Sequence, residues 1–267
     1  TETAKNALTK GDKSPVTVAD FASQALVSHM LMERFPEAIL VGEEASDALK
    51  EEGAEHLLEQ VTGYVSRFVR EADPDTVCLW IDRGAADPAN RFWTLDPIDG
   101  TKGFIRGDQY AVALALVEDG EVKIGVLGCP NLTEGYISEP GGAGTLIIAV
   151  RGQGTWLTEM ADTENNAWKR IQASPRANPT EARLMRSFES GHTDVSKIDE
   201  ISSALGTEAE PVRMDSQAKY AVLAVGAGEV ILRLLSPKMP NYQEKIWDQA
   251  AGAIVLEEAG GRISDLS

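Results

Sequence analysis

Trp93-Thr94-Leu95-Asp96-Pro97-Ile98-Asp99-Gly100-Thr101-Lys102-Gly103-Phe104 is an apolar strand that runs into acid, proline and glycine. Trp93 and Leu95 before the acids and Phe104 after them predict burial on both flanks, which a solvated surface turn has no need of. Pro97 fixes φ near −65° and removes an N–H donor, and Gly100 and Gly103 permit tight turns. Asp96 and Asp99 stand three residues apart across that turn, so both carboxylates can point into one space, with the Ile98 carbonyl between them. Two carboxylates about 4 Å apart repel by roughly 4 kcal/mol at an effective dielectric of about 20, which calls for a cation. Oxygen donors without a nearby His or Cys favour Mg²⁺, Mn²⁺ or Ca²⁺ over zinc. Beyond Asp99, the N–H groups of Gly100 and Thr101 are open to an anion. Taken alone, the pentapeptide from Asp96 to Gly100 reads equally as a solvated turn.

Upstream, Ser14-Pro15 marks a turn and Thr17 a helix N-cap. Val18, Phe21, Ala22, Ala25, Leu26, His29, Met30 and Met32 then form a helical stripe that Phe35-Pro36 ends. Asp20, three residues after Thr17, reads as the acidic member of a capping box. Residues 38–41 predict a buried strand that delivers Glu43 and Glu44 at its end, though Glu43 alone is equally a surface acid. Residues 55–70 predict a second helix, closed by Asp73-Pro74. Strands are predicted at 77–81, 92–95, 110–117, 122–127 and 135–138, with Asp119-Gly120 as a hairpin turn, and again at 145–150, 154–157, 168–173 and 182–187. After Gly191, helices at 194–205, 217–226 and 247–258 alternate with strands at 212–215, 230–234 and 262–264, the pattern of an α/β layer. Asp248 opens the last helix, where a lone carboxylate would complement the dipole. The polar stretch 158–166, followed by Pro175 and Pro179, predicts a boundary between an α+β lobe (1–160, with the metal-binding motif) and an α/β lobe (161–267, with the last acidic element).

The chain has 267 residues, 43% hydrophobic and 25% charged, so collagen-like and disordered classes drop out. No run reaches the roughly 18 to 20 apolar residues of a membrane span, and the N-terminus lacks a signal-peptide pattern. Cys78 and Cys129 have no CxxC spacing and build no disulfide framework, so a soluble cytoplasmic protein is expected. With 25 basic against 42 acidic residues the net charge is −17, and duplex nucleic acid would be repelled. There is no P-loop, HExxH or GxSxG motif, and Leu157 stands where a dinucleotide fingerprint needs its third glycine. His29 and His56 lie in predicted helices without an assigned role.

Gly42-Glu43-Glu44, the Asp96 to Phe104 segment, and Trp247-Asp248-Gln249-Ala250-Ala251-Gly252 followed by Glu258-Ala259-Gly260-Gly261 resemble, in order and spacing, the three signature blocks of the lithium-sensitive, magnesium-dependent phosphomonoesterases. That superfamily includes inositol monophosphatase and fructose-1,6-bisphosphatase. Within it, Lys13-Ser14-Pro15-Val16-Thr17, Arg91-Phe92-Trp93-Thr94-Leu95, Thr101-Lys102-Gly103-Phe104, Gly128-Cys129-Pro130-Asn131-Leu132 and Tyr242-Gln243-Glu244-Lys245-Ile246-Trp247-Asp248 are most similar to the 3'(2'),5'-bisphosphate nucleotidases. The resemblance implies a layered αβαβα sugar-phosphatase fold, an α+β lobe plus an α/β lobe with the metal cluster at their junction. It also implies hydrolysis of adenosine 3',5'-bisphosphate to AMP and phosphate, as in sulfur assimilation, with the 5'-phosphosulfate analogue as a further substrate. Two or three Mg²⁺ per site would be held by Glu43, Asp96, Asp99 and the Ile98 carbonyl, with Asp248 completing the second position; Mn²⁺ would substitute, and Li⁺ or Na⁺ would inhibit. Asp20 and Thr101 would be the catalytic pair that orients the attacking water. Gly100, Thr101, Gly191, His192, Ser216, Lys219, Arg233 and Tyr242 would contact the nucleotide.

From the residues alone, Lys219 reads equally as a solvated helix lysine, Arg233 as a strand-edge charge, His192 as a loop histidine and Tyr242 as a packed core residue. Against the family pattern, the chain starts after the usual first helix and stops before the usual C-terminal strands, and extra residues stand around Ser236-Pro237. The expected partner is a small nucleotide bisphosphate, with no nucleic acid and no membrane, in a monomer or weak homo-oligomer. The alternatives are an inositol phosphate phosphatase of the same superfamily, and a catalytically silent nucleotide-binding protein.

Overall fold

The computed structural model describes residues 8–9, 15–165, 167–188, 194–235 and 241–264. A short ribbon of β1 (Leu8–Thr9) and β2 (Pro15–Val16) leads into α1 (Val18–Arg34). Thr17 and Asp20 form the expected capping box: the Ala19 N–H donates to Thr17 Oγ1 at 3.1 Å and the Thr17 N–H to Asp20 Oδ2 at 2.7 Å. Then come β3 (Leu40–Gly42), α2 (Glu55–Val65), α3 (Pro74–Asp82), β4 (Arg91–Asp99), α4 (Thr101–Arg106), β5 (Ala111–Glu118) and β6 (Glu121–Cys129). They are followed by β7 (Leu132–Thr133), β8 (Ile137–Ser138), β9 (Thr145–Val150), β10 (Gly154–Glu159) and β11 (Lys169–Ile171). The remainder holds β12 (Leu184–Arg186), α5 (Val195–Ala204), β13 (Val212–Arg213), α6 (Ala218–Ala224), β14 (Val230–Ile231) and α7 (Ala250–Glu258).

Seven strands pair in the order β11-β10-β9-β6-β5-β4-β3, all antiparallel except β3 beside β4. A separate three-stranded sheet, β13-β12-β14, is parallel throughout. Strand β5 shows how the large sheet is covered on both faces. Its Ala111, Ala113 and Ala115 share one buried cluster with Ile254 and Val255 of α7, while Val112 and Leu114 pack with Val27 and Leu31 of α1. Small residues face α7 because that helix lies close. Gly125 of β6 pairs with Ala115, and a Cβ on Gly125 would fall 2.3 Å from Ile254 Cγ2 and 2.8 Å from the Ala251 carbonyl. Asp119 and Gly120, at φ +52° and +77°, make the β5–β6 hairpin turn that the Asp-Gly pair predicts.

Four expectations need correction. Residues 77–81 are not a strand but lie inside α3. Asp73-Pro74 opens that helix rather than closing the one before it: Asp73 caps through the Thr76 N–H at 2.8 Å, and Pro74 sits in the first turn, where its missing N–H is not needed. The predicted 55–70 helix ends at Val65. Residues 262–264 form no strand. No helix among the described residues is long and apolar enough to cross a membrane.

Candidate active site

Parallel pairing of β3 with β4 builds the first half of the site. Gly42 is in register with Leu95, so the next residues, Glu43 and Asp96, leave the sheet side by side, and the Glu43 N–H donates to the Leu95 carbonyl at 3.2 Å. Asp96 and Asp99 are an odd number of residues apart, which in a regular strand would send them to opposite faces. Here Asp96 pairs with Ala113 and Asp99 with Ala111, three steps on β4 against two on β5. The extra residue is a bulge at the proline, which has no ladder hydrogen bond to lose, and it restores the two carboxylates to one side. The second half comes from Trp247, which packs with Val41, Phe92 and Val117 on the α7 side of the sheet and brings Asp248 to the same end.

The four acids feel one another. Asp96 is 2% exposed, and its carboxyl is held well above the usual range, first by burial, then by the charges of Glu43, Asp99 and Asp248. Asp99 is pushed up to about 6 by burial, against the Gln217 N–H and the charges of Lys219 and Arg233, which pull it down. Asp248 is raised by burial and by Glu43, while the Lys245 N–H opposes the shift. Among the described residues, no group of three or more acidic, His or Cys side chains closes into a cage around one point. The acids are neighbours at one sheet end, an all-oxygen donor set of one sign that fits a hard divalent cation in its chemistry.

Asp20 is fully buried and divides its two oxygens. Oδ2 accepts from the Thr17 N–H at 2.7 Å and from Thr17 Oγ1 at 2.6 Å, while Oδ1 faces Thr101 Oγ1 at 3.4 Å. One side chain thus makes both the helix cap and a contact with Thr101. Thr101 Oγ1 also lies 3.2 Å from the Ile98 carbonyl, a second acceptor for its single proton.

Ser216, Lys219 and Arg233 gather on the Asp99 side. Gly100, at φ +87°, has no room for a side chain, because a Cβ would lie 2.8 Å from Ser216 Cβ. Lys219 is 4% exposed and donates to Ser187 Oγ at 2.7 Å; burial first, and Arg233 next, push its ammonium down to about 8. Arg233 is ion-paired with Glu244, and Tyr242 is half-buried near Asp248 and Glu244. Gly191 and His192 lie outside the described residues.

Residues 1–267 match the sequence profile of the Inositol monophosphatase family. The chain belongs to that family. It is 42% identical to 3'(2'),5'-bisphosphate nucleotidase 2 of Candida albicans, with 100% of this chain and 80% of that protein covered. It is 43% identical to the 3'(2'),5'-bisphosphate nucleotidase of Oryza sativa (97% and 75%) and to 3'(2'),5'-bisphosphate nucleotidase 1 of Arabidopsis thaliana (94% and 75%). The fold is that of the extragenic suppressor protein SuhB from Bartonella henselae, at TM-score 0.62 and 19% identity over 96% of this chain and 75% of that one. It also matches an IMPase/NADP phosphatase complexed with Mg²⁺ and phosphate, at TM-score 0.58 and 19% identity (96% and 72%).

The sequence pattern does not reveal the residues that hold these acid-bearing segments in place. Gln24, fully buried on α1, donates from Nε2 to the carbonyls of Glu44 (2.5 Å) and Ile81 (2.9 Å) and accepts the Glu44 N–H at 3.0 Å. Gln217 donates its backbone N–H to Asp99 Oδ2 at 2.5 Å. Asp215 accepts from Arg106 and from the Phe188 N–H. An amide inside an amphipathic stripe carries no periodic signal, so nothing in the pattern pointed to the glutamines.

Proposed function

We propose that this chain is a divalent-cation-dependent phosphomonoesterase whose preferred substrate is adenosine 3',5'-bisphosphate, cleaved at the 3'-phosphate to AMP and phosphate. The observation that carries the reading is the convergence of Glu43, Asp96, Asp99 and Asp248 beside the Thr101–Asp20 pair. It occurs in a chain that is 42% identical over its whole length to 80% of a 3'(2'),5'-bisphosphate nucleotidase. Glu43, Asp96, Asp99, the Ile98 carbonyl and Asp248 would hold the ions. When bound, Mg²⁺ supplies neutralisation of phosphoryl charge and a lower pKa for water.

Thr101 donates its hydroxyl proton to Asp20 and so presents its oxygen as an acceptor to a water, which it orients towards phosphorus. The water oxygen bonds to phosphorus as the ester P–O bond breaks; of the two water protons, one stays on the released phosphate and the other ends on the leaving sugar oxygen. Asp20 keeps one fixed orientation because Thr17 occupies its other oxygen. Lys219, Ser216 and Arg233 supply the cationic and hydroxyl contacts for a nucleotide with two phosphates, and Arg233 exchanges Glu244 for phosphate when substrate enters. Gly100 and Tyr242 line the same side, and Gly191 and His192 complete the substrate set.

The test compares phosphate release from adenosine 3',5'-bisphosphate and from inositol 1-phosphate at saturating Mg²⁺. Preference for the nucleotide is expected; preference for inositol 1-phosphate would move the substrate class. Nucleotide binding without phosphate release would make the chain a silent binder. Asp99→Asn is expected to abolish turnover with the fold intact.

A further inference from the structure

Gln217 sits where the elements carrying Asp99 and Asp248 meet, and it touches both. Its backbone N–H donates to Asp99 Oδ2 at 2.5 Å. Its side chain reaches the other way: Nε2 donates to the Trp247 carbonyl at 2.9 Å, one residue before Asp248, and Oε1 accepts the Gly252 N–H at 2.9 Å in the first turn of α7. That N–H is one of the helix-start donors with no partner in its own helix. A carboxamide offers a donor and an acceptor on one rigid plane, which neither Glu nor Met can do. Gln217 is 1% exposed, so water does not compete for these bonds.

The surroundings fix its position. Ser216 adopts φ +67°, and its Oγ accepts the Ala218 N–H at 3.1 Å, which sets the turn that aims the Gln217 N–H at Asp99. A turn further along α6, the Tyr220 hydroxyl donates to Gln249 Oε1 at 2.8 Å, and its ring lies against Gly252, where a Cβ would come within 2.3 Å. The start of α6 and the start of α7 are thus locked side by side through Gln217 and Tyr220. The Asp248 carboxylate is tied locally, to the Lys245 N–H at 2.8 Å, so its place relative to Asp99 is set by this lock together with the packing of Trp247 on the sheet.

We propose that Gln217 is a positioning residue that fixes the spacing of Asp99 and Asp248 and thereby sets the affinity for divalent ions held between them. The proposal rests on the phosphatase reading above. Outer partners of metal-binding side chains typically change affinity by roughly 10- to 100-fold when removed.

The experiment titrates Mn²⁺ alone into substrate-free protein by calorimetry and records thermal unfolding of the same samples. Gln217→Met keeps the length of the side chain and the backbone N–H to Asp99 but loses both side-chain hydrogen bonds, to Trp247 and Gly252; the Mn²⁺ dissociation constant is expected to rise by about 10-fold or more. Thr155→Val is the control, because Thr155 Oγ1 donates to the Val255 carbonyl of α7 at 2.8 Å, buried on the same helix but tied to β10. It is expected to lower the unfolding temperature and leave Mn²⁺ affinity within about twofold of wild type, as additivity for separate sites implies. Should Gln217→Met not fold, Gln217→Asn, one methylene too short to bridge Trp247 and Gly252 together, gives the same comparison. Wild-type Mn²⁺ affinity in the Gln217 variant, or equal weakening in Thr155→Val, overturns the proposal and leaves the phosphatase reading standing. Wild-type protein that binds no Mn²⁺ sinks both.

Discussion

Replacing Gln24 by methionine removes a clamp without removing its volume. The Gln24 amide holds the Glu44 N–H, the Glu44 carbonyl and the Ile81 carbonyl, three backbone groups on two segments. Both adjoining glycines exist for it: a Cβ on Gly42 would lie 2.6 Å from Oε1, and a Cβ on Gly84 would lie 2.5 Å from Nε2. Methionine fills nearly the same space, so the cavity penalty is small. What remains is the Glu44 N–H and carbonyl without the Gln24 amide, at roughly 1 to 3 kcal/mol each, while the Ile81 carbonyl still accepts the Gly84 N–H at 2.9 Å. The lower bound, about 2 kcal/mol, converts to a fall in unfolding temperature of about 4 to 8 °C for a chain of this size. Calorimetric melting of wild type and variant in the same buffer is the assay, backed by urea unfolding at unchanged slope. A fall of under about 2 °C would mean that relaxation or water satisfies those groups equally well, and the claim that Gln24 holds the Glu43-Glu44 segment would fail.

Gly125→Ala drives a methyl group into Ile254 and the Ala251 carbonyl, so it is expected to destabilise by about 1 to 3 kcal/mol, measured by urea midpoint. Glu229 is held at about 2; burial works to raise it, but hydrogen bonds from the Arg183 side chain and N–H outweigh that effect. A depressed carboxylate stabilises fully above its unfolded value of 4.5 and loses that contribution as pH falls towards 2, of order 3 kcal/mol in all. Glu229→Gln is expected to be less stable at neutral pH and to show a flatter fall in stability between pH 5 and 3; parallel curves would remove the argument. Thr101→Ala is expected to lower kcat by about 10²-fold or more with little change in KM, and the opposite split would take Thr101 out of water orientation.

Asp96 and Asp99 were legible in their own segment, because the apolar run to Leu95 must be buried and carries them with it. Glu43 and Asp248 joined them only through the family resemblance, since alone one reads as a surface acid and the other as a helix-start carboxylate. The Thr17 cap and the Asp119-Gly120 hairpin were legible for a local reason, since each is decided within four residues. Val77-Cys78-Leu79-Trp80-Ile81 misled because a short unbroken apolar run has no period, and the deciding signal, Asp73-Pro74 as a helix start, was assigned to the element before it. Partners far apart in sequence were not legible at all: Lys219 with Ser187, Arg233 with Glu244, Gln217 with Trp247. Those contacts exist only once β12, α6 and α7 have found their places.

Asp20 carries two duties on two atoms, and this has an unusual corollary. Because Thr17 engages one oxygen through both its amide and its hydroxyl, an asparagine at this position has a single sensible orientation. Its remaining oxygen must stay with Thr17, and its NH₂ group must confront Thr101. The helix would begin as before, yet the threonine would meet a donor where it had met an acceptor, and its proton would have to turn to Ile98. One atom exchanged for another of the same size would thus reverse the polarity of a single contact while leaving the scaffold blind to the change.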